Sequence, residues 1–364
     1  MMRAFLMIRY VLGEMIPTFL LGVLVFVFIL LSLQALRLTE MVISHGVKIT
    51  TVGLMMSYLS MSFLPILFPM SLLFTVLLTY SRLSADSEIV AFRAIGLSMS
   101  SIVFPAVILS ILVGILSLQT SFHIAPWGNR QFEMLITQIG ATKPGVAIKE
   151  GTFSESFFDL VVYANRVDST TGTLSQVFIY DEKQTPLTII AKEGQILTDK
   201  DRPGHSALIR LKDGSFHSTS QGRHTKVDFG TYDFHLSNPM TESFANKSPP
   251  SLTIDELRAK TKDKALKLEQ RLELETEFQK RIAIAVACLI FALIGVGLGT
   301  VSNRRNAKGG GTVICIGIIV AYWIVYVTAE GASRQGQLIP VIAMWLPNFL
   351  FAIAATFSLR RAWR

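Results

Sequence analysis

Apolar residues in this chain either run on without a break or alternate with polar ones, and the two patterns occupy different parts of it. Six unbroken runs, 16–33, 52–80, 102–122, 282–301, 312–328 and 338–359, reach or approach the roughly 20 residues that cross ~30 Å of hydrocarbon. Three come early and three late. Between them the period changes to two: "DLVVYANRVD", "LSQVFIYDE", "LTIIAKEGQILTD", "SALIRLKDGSFHS" and "KVDFGTYDFHLS" are short and rich in β-branched and aromatic residues. Each is bounded by Asp, Gly, Asn or Pro, which predicts strands. Lys212-Asp213-Gly214-Ser215 predicts a hairpin turn, because Asp-Gly accepts positive φ. Strands at such even spacing predict a sandwich or jelly roll. The expected architecture is a membrane α-helical protein of six transmembrane helices, three plus three, with an inserted all-β domain. Its parts are 1–122, a β-domain over 123–250, a charged helix over 251–279, and 280–364.

The junction after the strands is marked chemically. Pro249 and Pro250 break the alternation, and Thr253 with Glu256 has the spacing of a capping box. From there "DELRAKTKDKALKLEQRLELETEFQKR" reads as one long charged helix with i,i+4 partners such as Asp263 and Lys267, running into the fourth span. It is either a rigid lever or a solvated linker.

Composition agrees with the pattern: 51% of the 364 residues are hydrophobic and 16% charged, with a mean hydropathy of +0.47. The first apolar run is too long for a signal-peptide core, and no small-x-small cleavage site follows it, so it is expected to be retained. Cys288 and Cys315 both fall in spans, which leaves no disulfide framework or CxxC site. His123, His205, His217, His224 and His235 lack metal-ligand spacing, and no metal is expected. The net charge of +8 does not point to nucleic acid, because the basic residues cluster at span ends. One set of ends carries Arg3, Arg9, Arg82, Arg93, Arg304, Arg305, Lys308, Arg360, Arg361 and Arg364, against Arg37, Lys48 and Arg334 on the other short loops. That asymmetry predicts cytoplasmic termini and a β-domain outside, which in a bacterium is the periplasm.

Chemistry of the chain's own is missing. There is no GxxxxGK[ST], GxSxG or HExxH, and acidic residues are absent from the span interiors, with Glu330 reading as an interfacial side chain. A partner is expected to supply the energy for any movement. The polar island "SRLSADSEIVAFRAIGLS" between the second and third spans is the place to receive it. It predicts a helix over 84–96 with Ser84 as N-cap, Asp86 and Glu88 in its first turns and Gly96 as its stop. Glu88, Ala91, Phe92 and Ile95 share a face, with Asp86 and Arg93 on the flanks. A carboxylate beside an aromatic suits a docking surface, and an interfacial helix with Phe92 in lipid has the same pattern.

Taken in order, "MIRYVLGEMIPTFL", "FLPILFPMSLLFTVLLTYSRL", "DSEIVAFRAIGLS", "APWGNRQ", "KPGVAIKEGTF" and "ETEFQKRIAIAV" resemble the lipopolysaccharide export permease family, LptF/LptG, along the whole chain. "KPGVAIKEGTF" and the polar island lie nearer the LptF side of it. The resemblance implies a permease paired with a paralogue, a separate ATPase dimer (LptB) that holds ATP and Mg, an added helix from LptC, and a periplasmic bridge that includes LptA and the β-jelly-roll. No cofactor belongs to this chain on that reading, and the cargo is lipopolysaccharide taken from the bacterial inner membrane. The island becomes the coupling helix, with Glu88 at the family's acidic position and Phe92, Asp86 and Arg93 beside it. Arg37 matches a basic position suited to lipid A phosphate or to snorkelling. Glu277 and Arg281 match an E-x-x-x-R pair that serves as a structural salt bridge or as a substrate contact.

Overall fold

The computed structural model describes residues 2–45, 48–142, 150–157, 160–168, 172–181, 187–198, 207–220, 223–236, 247–262, 266–301 and 310–363. Its helices are α1 (Met2–His45), α2 (Ile49–Ala85), α3 (Glu88–Ala94), α4 (Met99–Gln119), α5 (Ala125–Thr142), α6 (Ile254–Thr261), α7 (Leu268–Val301), α8 (Gly310–Arg334) and α9 (Pro340–Trp363). Among the described residues, six helical segments are long and apolar enough to cross a membrane; three precede the strands in chain order and three follow. By contacts the chain forms two compact units, one of residues 1–34, 57–129 and 248–364, the other of 35–56 and 130–247.

In the first unit α7 is the most enclosed span. Hydrocarbon offers no hydrophobic drive between helices, so close packing must hold them together. Gly295 and Gly299, one turn apart, lie against Val76 and Tyr80 of α2, and Gly297 on another face lies against Ser358 of α9. A β-carbon at any of the three would collide with its neighbour. Prolines inside α2 leave backbone groups to satisfy. Pro69 has no N–H to give the carbonyl of Pro65 four residues earlier, and the buried Ser117 of α4 donates to that oxygen at 3.2 Å. The Tyr80 hydroxyl donates to the Ile102 carbonyl at 2.5 Å, tying α2 to the start of α4.

α4 does not stop at the expected boundary near 123. A π-turn over Thr120–Ile124 passes it into α5, so "APWGNRQ" is helical and the strands begin only at Phe153. Gly128 permits this continuation to lie against the backbone of Tyr58, and Trp127 meets the Tyr58 ring edge-on.

Among the described residues of the second unit, six strands form one antiparallel sheet in sequence order: β1 (Phe153–Phe157), β2 (Leu160–Asp168), β3 (Thr173–Asp181), β4 (Leu187–Thr198), β5 (Ala207–Ser220) and β6 (Arg223–Leu236). β2 to β6 follow the five predicted alternating stretches; β1 went unpredicted. Val162, Ile179 and Ile189 are cross-strand partners in the buried row. The next row runs Ala164, Val177, Ala191, Gly214, Phe229. Gly214 is therefore a mid-strand position, and the predicted Asp-Gly hairpin turn is corrected: Asp213, at φ 48°, is a local kink inside β5. The Phe229 ring lies over the space a side chain at 214 would fill. Gly214→Ala is expected to cost about 1–3 kcal/mol through overpacking, seen as faster hydrogen exchange in β4 to β6 of the full chain. Arg210 and Asp233, directly opposed on β5 and β6, form a fork at 2.7 and 2.8 Å.

The helix expected over 251–279 is two helices. The capping box forms as read: the Glu256 N–H donates to the Thr253 hydroxyl, and the Thr253 N–H to Glu256 Oε2 at 2.9 Å. That box starts α6, which ends at Thr261, and α7 begins afresh at Leu268. Asp263 lies outside the described residues. From Leu268 onward the charged turns do run unbroken into the span.

Candidate functional site

α3 follows α2 after a tight reversal. Ser87 takes a left-handed conformation, φ 60°, which turns the chain between Ala85 and Glu88. Ser84 is not the N-cap expected from sequence. It belongs to the last turn of α2, and its hydroxyl donates to the Thr300 carbonyl of α7 at 3.2 Å. Gly96, at φ 88°, does end the helix, with its N–H bonded to the Arg93 carbonyl. Ser98 then caps α4 by accepting from the Ser101 N–H at 3.3 Å.

The inward face of α3 is fastened. Ile89 is buried and Phe92 half-buried against the core that includes Met7, Val11, Leu83 and Ile102. Glu88 Oε1 accepts from the Tyr10 hydroxyl of α1 at 3.2 Å. The end of α2 supplies the cation: Arg82 meets Glu14 of α1 through both Nη atoms at 2.5 and 2.6 Å, approaches Asp86 at 3.8 Å and Glu88 at 3.9 Å, and donates to the Tyr10 hydroxyl at 3.3 Å. The outward face is open: Val90 is 66% and Ile95 54% exposed, and Ala91, Arg93 and Ala94 are exposed between them. Glu88 and Phe92 thus turn toward the body of the protein, while Arg93, Val90 and Ile95 face out. Sequence reading missed Tyr10, Glu14 and Arg82. The i,i+4 spacings of Tyr10 with Glu14 and of Arg82 with Asp86 are the signals that point to them.

The Ser84–Thr300 bond and the Gly297–Ser358 packing put the ends of α2, α7 and α9 at one level, so Arg82, Arg93, Arg360 and Arg361 share one end of the helical unit.

Glu277 and Arg281, by contrast, are sealed in. Arg281 is 3% exposed and Glu277 5%. The Arg281 Nε pairs with Glu277 at 3.1 Å, Nη1 donates to the Leu252 carbonyl at 2.9 Å, and Nη2 donates to the carbonyls of Pro249 and Pro250 at 3.2 and 3.1 Å. The guanidinium also lies over the Phe122 ring. Every donating nitrogen is engaged by the chain itself, which fixes the segment preceding α6 to α7. Lys280 bridges Glu277 at 3.3 Å and Glu330 at 3.5 Å, and Glu330 also holds Arg334 at 2.8 Å. Arg37 belongs to α1, and its side chain lies outside the described residues. Among the described residues no group of His, Cys, Asp and Glu is placed to hold a metal; His123 and His217 bond locally to Gln119 and Ser215.

The described residues thus hold six membrane-length helices, one sheet and a short helix fastened at the charged end. The family model described as lipopolysaccharide export system permease LptF/LptG matches residues 9–361. The chain belongs to that family. Relatives named lipopolysaccharide export system permease protein LptF, from Escherichia coli strain K12 and from Shigella flexneri, are each 23% identical over 301 residues. Each match covers 81% of this chain and 78% of the relative. The resemblance drawn from the sequence motifs, including its lean to the LptF side, agrees with these matches. As an LptF/LptG permease, the chain is a membrane protein of a lipopolysaccharide export system, a transport component rather than a catalytic one.

Proposed function

We propose that this permease is one membrane-spanning subunit of an ABC transporter that draws lipopolysaccharide from the bacterial inner membrane and passes it toward a periplasmic bridge. A paralogue of the same family completes the permease pair, and an ATPase dimer of the LptB kind binds ATP and Mg, so this chain carries no cofactor. The end bearing Arg82, Arg93, Arg360 and Arg361 faces the cytoplasm, as the ten-to-three asymmetry of Lys and Arg across the short loops favours. The sheet then lies in the periplasm as the jelly-roll unit, with β1 and β6 as its edges toward an LptC or LptA partner.

One observation carries this reading: α3 is fastened on its inner face and bare on its outer one, at the charged end of the helices. A helix built that way transmits a push from a partner into α1 and α2. Val90, Arg93 and Ile95 are its contact residues, with Glu88 and Phe92 holding it from behind and Asp86 at the turn. Arg37 is the phosphate-binding candidate, since a guanidinium meets a phosphate bidentately. Arg281 and Glu277 are assigned to structure instead, because their polar groups are engaged internally.

Affinity capture of the tagged chain in mild detergent tests the assignment. Recovery of an ATPase together with a second six-span chain is the expected result. Recovery of neither, with lipopolysaccharide export unaltered after depletion, would favour a membrane-anchored scaffold and overturn it.

A further inference from the structure

α3 is seven residues long, too short to hold a helical shape or a fixed tilt by its own hydrogen bonds. Two apolar side chains, Ile89 and Phe92, seat it, and its amino end depends on a charge cluster. In that cluster one guanidinium serves three carboxylates: Glu14 from α1, Asp86 from the turn and Glu88 from the first turn of α3. The Tyr10 hydroxyl sits between them, donating to Glu88 and accepting from Arg82. The separations are unequal. Arg82 grips Glu14 in a two-point contact at 2.5 and 2.6 Å, while Glu88 is at 3.9 Å and reaches the cation through the tyrosine oxygen.

We infer that Arg82 and Tyr10 are positioning residues that set the angle of α3 on the permease by holding Glu88 from the membrane side. The inference rests on the coupling reading above and assigns Glu88 a different part from direct docking. Its Oε1 is held inward, so a substitution there changes how the outward face is presented.

The charge count gives this a signature that simple loss of packing lacks. Without Arg82, no cation among the described residues pairs with the three carboxylates, and their repulsion drives the amino end of α3 away. Removing a second charge from that background relieves the repulsion. Glu14→Gln is therefore expected to harm the parent protein, where it frees one arm of Arg82, and to help the Arg82→Gln variant. That sign reversal is a coupling between two residues on different helices, measurable as non-additivity.

A nitroxide at Ile95→Cys reads the motion of α3 in the purified full chain. Cys288 and Cys315 are buried, so labelling is directed to the new thiol. Arg82→Gln is expected to sharpen the spectrum and speed label motion about threefold or more, Glu14→Gln to do so more weakly, and the double variant to fall between Arg82→Gln and the parent. Tyr10→Phe, which deletes only a hydroxyl, moves the spectrum in the same direction and covers the case in which Arg82→Gln fails to accumulate. An unchanged spectrum in Arg82→Gln and Tyr10→Phe, or strictly additive single effects, overturns the inference. The unlabelled variants, purified with their ATPase and paralogue, give the second arm as lipopolysaccharide released per ATP hydrolysed. A shifted spectrum with that ratio unchanged upholds the positioning role and overturns the coupling reading; a shifted spectrum with a ratio lowered about fivefold or more upholds both.

Discussion

Arg281→Met is expected to destabilise the helical unit by about 3–5 kcal/mol, the range for removing one partner of a buried ion pair. Methionine fills much of the volume but supplies no donor. The substitution leaves the Glu277 carboxylate buried at 5% exposure, with Lys280 at 3.3 Å as its remaining cation; it removes the Arg281 donor from the Leu252 carbonyl and leaves the Pro249 and Pro250 carbonyls with the Leu252 N–H at 3.3 Å and the Asn129 side chain at 3.4 Å. The Leu252 carbonyl, left without that donor, carries a desolvation cost of about 1–3 kcal/mol unless water reaches it. The segment 247–262 is thus expected to detach before the spans do, exposing Leu252 and Leu257, which pack with Leu274 of α7. Limited proteolysis of the detergent-solubilised protein would show new cleavage there, and denaturant titration an earlier first transition. Arg281→Met/Glu277→Leu is expected to recover part of the loss, because the stranded charge goes with its partner. A loss under about 1 kcal/mol for the single change would mean water already shares the site and the clamp is not a rigid link.

How far the sequence alone reaches is decided by the range of the interactions. The spans are legible because hydropathy needs no knowledge of neighbours, and the Thr253–Glu256 capping box because both partners lie within one turn. β2 to β6 are legible by their two-residue alternation. The misreadings share a cause: a local signal was overruled by a distant contact. Asp213-Gly214 has the composition of a turn, yet Gly214 is the gap into which Phe229 packs. Ser84 has the composition of a cap, yet it is spent on Thr300 of α7. The candidate site follows the same rule. The short helix and its Gly96 stop are readable, but which face is free is not, because the Tyr10–Glu88 and Arg82–Glu14 contacts join residues far apart in the chain. Without that knowledge Phe92 reads as an outward anchor; in the fold it is half-buried on the core.

That inversion of the face yields the second large prediction. Val90→Asp/Ile95→Asp replaces two exposed apolar side chains, at 66% and 54% exposure, on the outer surface of α3. Exposed positions without internal partners change stability by about 0.5 kcal/mol or less, so insertion, expression and thermal unfolding of the isolated chain are expected to match the parent. Their effect on the ATPase is expected to be large. Truncating an interface hot spot costs about 2 kcal/mol or more, which corresponds to about a 30-fold loss of affinity, and a buried unpaired carboxylate adds a desolvation penalty of its own. Capture of the ATPase by the tagged double variant is therefore expected to fall below detection at concentrations where the parent binds fully. Phe92→Ala should show the reverse balance. It removes a ring packed on the core, so it lowers the stability of the helical unit, by less than the ~3–5 kcal/mol of a fully buried phenylalanine, and weakens ATPase capture only as far as α3 loosens. Equal capture by the parent and the aspartate variant would sink the outer-face assignment. A greater loss of capture in Phe92→Ala at unchanged stability would place the contact back on the face that the sequence pattern first suggested.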